Sequence, residues 1–204
     1  MYNVPIYKET DQQVIFDFLK EYPFAFITGV GSDGRPVATQ IPFLVEDRDD
    51  GLYVVGHVMK NTDHCKAFKE NPDVLIVFSG PQGYVSASWC ANPHKGSTWN
   101  YMSVHIKGKV HFFEGEKLVT FMKRFTLIHE EGNTNSPTIY DNLSNDYTEK
   151  WMPHIVGIEI KADKLDTVFK LSQGLDKESY ANVITQLEQR GNTKLAFEMK
   201  KRIK

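Results

Sequence analysis

Apolar positions along the chain change their period several times, and the changes divide it into elements. Val14, Ile15, Phe18 and Leu19 recur at helical spacing behind Thr10 and Gln13, which have the form of a capping box, and Tyr22-Pro23 ends the helix. The pattern then turns to β-rich runs. Phe24–Val30 and Pro36–Val45 flank Ser32-Asp33-Gly34-Arg35, a hairpin signal, and Asp47–Gly51 is a polar hinge before a third strand, Leu52–Val58. Residues 61–71 predict a short helix with Asn61, Thr62 or Asp63 at its N-cap and Asn71-Pro72 as its stop. Two strands, Val74–Phe78 and Tyr84–Trp89, are expected on either side of Ser-Gly-Pro-Gln-Gly. An ordered loop over 90–102 leads into a long strand, Ser103–Phe113. Helical spacing returns over 115–131 and near Ser144–Trp151, strands over 155–160 and 166–171, and helices over 176–190 and 193–203.

Closely spaced strands with few intervening helices exclude a doubly wound sheet, which needs a helix at each crossover. The expected fold is mainly β in the α+β class: an antiparallel barrel with peripheral helices. The expected division is a barrel over 1–173 and a C-terminal helical segment over 174–204, packed on the barrel or on a dimer.

Composition narrows the function classes. With 41% apolar residues, 12% aromatics and a formal net charge of −2 over 204 residues, the chain is a globular domain and not a disordered one. No apolar run is long enough for a membrane span and the first residues lack signal-peptide character, so a cytoplasmic protein with no membrane partner is expected. Cys65 and Cys90 are far apart and read as reduced thiols. The small net charge conceals an asymmetry. Lys194, Lys200, Lys201, Arg202 and Lys204 against Glu198 make the last fourteen residues basic, which suits either a nucleic-acid contact or the C-terminal end of a helix dipole.

GxSxG, HExxH, P-loop and dinucleotide-fold signatures are all missing, and no catalytic residue is assigned. The best anion site is GHVMKNTDHCKAF at 56–68. A strand gives way to a helix there, so first-turn N–H groups converge, with Lys60, Asn61, Thr62 and His64 around them and His57 just before. Asp63 is awkward beside a phosphate dianion, and the same spacing also describes a plain capped helix. A second constellation is Tyr84, Trp89, Trp99 and Tyr101 with Ser86, Ser88 and Asn100. On a strand, Ser86 and Ser88 share a face with Tyr84, giving a polar lining for a planar ligand, although core packing explains the aromatics equally well. His105 and His111 share a strand face about 20 Å apart, too far to bind one metal, and no metal site is expected.

Taken together, ATQIPF (38–43), GHVMKNTDHCKAF (56–68), FSGPQGYVSASWC (78–90), STWNYMSVHIKG (97–108), IVGIEI (155–160) and KLSQG (170–174) resemble the PaiB family over nearly the whole chain. Its members are described as FMN-binding negative transcriptional regulators with the split barrel of the pyridoxamine-phosphate oxidase-like superfamily. The resemblance implies a homodimer with FMN at the subunit interface. It implies that Thr39, Gln40, Ile41 and Pro42 lie along the isoalloxazine edge. It further implies that His57, Lys60, Asn61, Thr62 and His64 form the phosphate turn, and that Ser86, Ser88, Trp89, Trp99 and Asn100 flank the flavin. Where the family often has Asn-Pro, this chain has Thr62-Asp63.

A flavin-binding regulator or sensor is the function this implies. The alternative is an FMN-dependent oxidoreductase acting on a small molecule, since a flavin carries its own chemistry. A third reading, haem binding or degradation, follows from split-barrel relatives, but none of the seven histidines stands out as an axial ligand.

Overall fold

The computed structural model describes residues 1–202. The described residues form six α-helices and eight strands: α1 (Gln12–Glu21), β1 (Phe24–Val30), β2 (Pro36–Pro42), β3 (Leu44–Arg48), β4 (Gly51–Met59), α2 (Asp63–Glu70), β5 (Asp73–Val85), β6 (Thr98–Phe113), α3 (Gly115–His129), α4 (Asn145–Trp151), β7 (Ile155–Lys161), β8 (Lys164–Lys170), α5 (Lys177–Gln189) and α6 (Thr193–Lys200). The strands make one sheet in the order β2-β1-β5-β6-β7-β4-β3, and β8 pairs with β6. The last helix was expected to reach residue 203, which lies outside the described residues, as does Lys204 of the basic tail.

The chain divides into two compact units. One contains Pro23–Ile76 and Ile106–Lys164, the other Met1–Tyr22, Val77–His105 and the chain from Leu165 onward.

In the first unit the β1–β2 hairpin forms as its turn residues require. Phe24 faces Pro42, Val30 faces Pro36, and Gly34 takes φ +77°, which glycine adopts without steric cost. The strand expected to continue to Val45 breaks instead at buried Phe43, and β3 turns back along β4 from Leu44 opposite Val55. Strand β4 pairs antiparallel with β7, His57 opposite Gly157. Alternate β4 residues serve two environments. Val54 and Val58 go to the main core, whereas Val55 joins Leu44, Phe113, Leu118, Phe121 and Phe125 in a second apolar cluster that seats α3.

In the second unit Ile15, Phe18 and Leu19 are the buried stripe of α1. Its cap is Asp11, whose Oδ1 accepts from the N–H groups of Gln13 and Val14, and not Thr10 as the spacing predicts. Strand β5 runs without a break through Ser79–Gly83, where a turn is expected. A Cβ on Gly80 would sit 2.6 Å from the Phe18 ring, so this glycine admits α1 instead of bending the chain. The helices after Gln173 share this unit with α1 and bury Val183, Ile184, Leu187, Leu195 and Met199. No helix among the described residues is long and apolar enough to cross a membrane.

Candidate functional site

The residues singled out from the sequence divide between the two units. In the first, Thr39, Gln40, Ile41 and Pro42 lie on β2, a terminal strand whose outer edge has no strand neighbour among the described residues. Its backbone therefore presents unpaired N–H and C=O groups in alternation, with Gln40 exposed and Thr39 half-buried. Ile41 reaches across to β4, where a Cβ on Gly56 would lie 3.1 Å from its Cδ1. The absent side chain at Gly56 is what lets β2 approach.

The turn from β4 into α2 brings Lys60, Asn61, Thr62 and His64 together, as the spacing predicts. Thr62 is the N-cap, its Oγ1 accepting from the Cys65 N–H at 3.3 Å and lying 3.0 Å from His64 Nε2. Asp63 folds onto its own helix, where Oδ1 accepts from the His64 N–H at 2.7 Å and lies 3.1 Å from His64 Nδ1. Those bonds, together with Lys66 N–H donating to the Thr62 carbonyl, occupy donors of the first turn. Any anion held here would consequently rest on the side chains of Lys60 and Asn61 more than on the helix end or on His64, whose two ring nitrogens face Thr62 and Asp63, which differs from the converging-amide expectation. The Lys60 N–H donates to the His154 carbonyl at 2.8 Å, and its Nζ to Glu114 Oε2 at 2.9 Å. Neither partner carries a sequence signal, because Glu114 is 54 residues away and His154 acts through its backbone.

His57 is placed apart from these groups. Its ring lies under α3, 5.4 Å from the Phe125 ring at 87° and 6.2 Å from Phe121, and its Nδ1 is buried without a hydrogen-bond partner. Period-2 alternation explains the placement, since His57 shares the face of Val55 and hence the α3 cluster. Burial holds the imidazole below its usual range. A group depressed in this way favours folding fully above its unfolded value near 6.5, and that contribution is lost as pH falls through the lower folded value. Apart from titration, His57→Leu should stabilise the protein by about 1 kcal/mol at neutral pH, because it removes a buried nitrogen that has no hydrogen-bond partner. It should also flatten the loss of stability just below pH 6.5, as read from urea unfolding across pH. An unchanged pH profile would rule out His57 as its source.

In the second unit, Ser86 and Ser88 do not share a strand face. Residues 87–89 form a 3-10 turn, with Ser86 Oγ accepting from the Ser88 N–H at 3.2 Å and lying 2.8 Å from Ser88 Oγ. The hydroxyls that compete with the backbone end the strand at Val85. Trp89 and Trp99 meet around Tyr84, their ring centroids 6.4 and 6.2 Å from it. Trp99 stays half exposed while its Nε1 donates to Gln82 Oε1 at 3.2 Å, and the Arg190 guanidinium lies 4.8 Å from the Trp89 ring. Asn100 is fully buried, so it cannot line an open pocket. Its Nδ2 donates to Ser172 Oγ at 2.8 Å, and the same hydroxyl donates back to Asn100 Oδ1 at 3.1 Å. The STWNY and KLSQG blocks thus lock to each other, a second link running from Lys170 Nζ to Thr98 Oγ1. Among the described residues no group of His, Cys, Asp or Glu is placed to hold a metal ion.

A family described as "Putative FMN-binding domain" matches residues 1–164. The chain belongs to this FMN-binding family. The Bacillus subtilis protease synthase and sporulation protein PAI 2 is 32% identical over 194 residues, 94% of this chain and 91% of that one. This bears out the PaiB resemblance. Two solved structures share the fold: the flavocytochrome Anf3 of Azotobacter vinelandii (TM-score 0.60, 20% identity, 89% of this chain and 78% of that one) and an FAD- and heme-binding protein of Mycobacterium smegmatis (TM-score 0.59, 18% identity, 85% and 78%). The fold is that of the FMN-binding split barrel, as expected from the sequence.

The donor set in the first unit fits the cofactor of the family. Strand β2 offers an unpaired edge of alternating donors and acceptors, the requirement for the heteroatom edge of an isoalloxazine. The 59–64 turn offers the ammonium of Lys60 and the amide of Asn61, donors suited to a phosphate monoester.

Proposed function

We propose that this chain binds FMN as a homodimer, with the flavin at the subunit interface, and works as a PaiB-like negative transcriptional regulator or flavin-linked sensor. What carries the reading is that one family match spans β2, the 59–64 turn and the Ser86–Asn100 block alike. In it the outer edge of β2 reads the isoalloxazine, Gln40 and Thr39 add side-chain contacts, and Lys60, Asn61, Thr62 and His64 take the phosphate. Ser86, Ser88, Trp89 and Trp99 are assigned to the flanks of the flavin. His57, packed under α3, and Asn100, bonded to the Ser172 hydroxyl, are assigned no contact with the flavin. When bound, FMN supplies electron transfer; the chain's own residues need only orient it and limit access of water.

Support for a dimer comes from the hairpin face on which Phe24, Phe26 and Val30 are exposed opposite Pro42, Gln40 and Pro36. An apolar surface of that kind is one a second copy would cover. Direct DNA contact through the basic tail finds less support, because Lys200, Lys201 and Arg202 are engaged by Glu188 and Glu198.

Purified protein should be yellow, release FMN on acid treatment at one per chain, and sediment as a dimer. Lys60→Met should weaken FMN about tenfold and leave riboflavin, which lacks the phosphate, unchanged. Colourless protein that fails to bind added FMN would overturn the reading. Reduction of the bound flavin by NADH faster than that of free FMN would move the chain to the oxidoreductase alternative.

A further inference from the structure

Glu114 stands at the N-cap position of α3 and makes no side-chain cap bond. A carboxylate there would ordinarily accept from first-turn N–H groups and complement the positive end of the helix. It reaches to Lys60 Nζ instead, at 2.9 Å, while the Lys60 backbone is fixed by its bond to the His154 carbonyl. Lys60 is the lysine of the candidate phosphate turn. The remaining groups there add no surplus positive charge, because His64 lies against the carboxylate of Asp63. A phosphate dianion arriving at this turn therefore competes with a carboxylate already in place, and the two anions repel across one ammonium.

We propose that Glu114 is a built-in counter-ion of Lys60, displaced when a phosphate monoester binds, and that it sets how strongly the turn prefers phosphorylated to unphosphorylated flavin. The inference rests on the flavin reading above. Displacement leaves the Glu114 carboxylate free to turn onto the N–H groups of its own helix, so the exchange swaps one acceptor for another on both sides. Sequence inspection gives no hint of this residue, since Glu114-Gly115 looks like an ordinary strand-to-helix junction.

The test is a titration of FMN and of riboflavin, followed by quenching of flavin fluorescence, into the wild-type chain, Glu114→Gln, Lys60→Met and the double variant. Glutamine keeps the size of this exposed side chain and removes its charge. The proposal expects Glu114→Gln to tighten FMN by roughly three- to tenfold with riboflavin unchanged. It expects that gain to vanish when Lys60 is also replaced. Unchanged or weaker FMN binding in Glu114→Gln, an equal shift for riboflavin, or a gain that survives without Lys60 would each overturn it. A wild-type chain that binds neither flavin overturns the flavin reading and this inference together, whereas FMN binding that ignores Glu114 overturns only the inference.

Discussion

Replacing Phe125 with alanine should destabilise the protein by about 3–5 kcal/mol and lower its thermal midpoint by roughly 10 °C. The Phe125 ring is the centre of the contact that seats α3. Its centroid lies 5.3 Å from Phe121, 5.4 Å from His57 and 4.3 Å from His129, whose Nδ1 is 2.8 Å from the Phe125 carbonyl oxygen. Truncation removes the ring and leaves a cavity among Leu44, Val55, Phe113, Leu118 and Phe121, which the adjoining strands cannot collapse to fill.

Charge pairs hold the same helix. Arg48 Nη2 lies 2.5 Å from Glu46 and 2.6 Å from Glu159, Lys117 lies 3.2 Å from Glu159, and Arg124 reaches Glu46. The cations of this network are at least a third exposed, so each pair contributes no more than about 1 kcal/mol. The apolar contact should dominate: Glu159→Gln is expected to cost less than Phe125→Ala in urea unfolding, and the reverse order would mean that charge seats α3. The two contributions also separate with pH. Burial raises the Glu159 carboxyl, but the bonds from Arg48 and Lys117 outweigh it and hold the group below its usual value. Its stabilisation is complete above the unfolded value near 4.5 and is lost as pH falls through the lower folded one. The His57 window opens at higher pH, so acid titration should remove the histidine contribution first. Because α3 begins beside Glu114, loosening it also disturbs the partner of Lys60.

Local chemistry made part of this legible beforehand. Asp33-Gly34 marks the hairpin, Thr62 caps α2, and the apolar runs of β4 and β7 mark buried strands, because each signal lies within a few residues of the structure it specifies. Ser79–Gly83 misleads for the opposite reason. Its turn-forming residues are overridden by the approach of Phe18 from α1, a contact between distant parts of the chain. Ser86 and Ser88 fit an alternating strand by position, yet their hydroxyls bond the local backbone and wind a turn. In the candidate site, the run from Lys60 to His64 is contiguous and readable. The pairs Lys60–Glu114 and Asn100–Ser172 span 54 and 72 residues, and a single sequence carries no pattern linking them. Those long-range pairs make Asn100 a buried lock and give Lys60 a carboxylate partner.

Arg202→Met should cost about 3 kcal/mol, considerably more than Glu198→Gln, and the difference identifies what the basic C-terminal segment does. Glu198 on α6 is only 3% exposed, whereas Arg202 and Lys201, its partners at 2.5 and 3.2 Å, are 21% and 45% exposed. Without the carboxylate, both cations can turn to water. Without Arg202, the carboxylate remains buried with Lys201 as its one cation partner among the described residues, and the contact of the guanidinium with the Phe169 ring, 5.1 Å from its centroid, is lost as well. The anion also reaches Tyr22, whose phenol is raised first by burial and then by Glu21 and Glu198. A segment serving mainly as a nucleic-acid contact would behave differently. Its cations would be free, and removing one would leave stability unchanged while reducing salt-dependent binding. Thermal unfolding of the two variants beside the wild type separates the cases. A loss near 3 kcal/mol for Arg202→Met with about 1 kcal/mol for Glu198→Gln marks an internal latch, whereas wild-type stability in both would return the basic tail to the surface as a candidate contact.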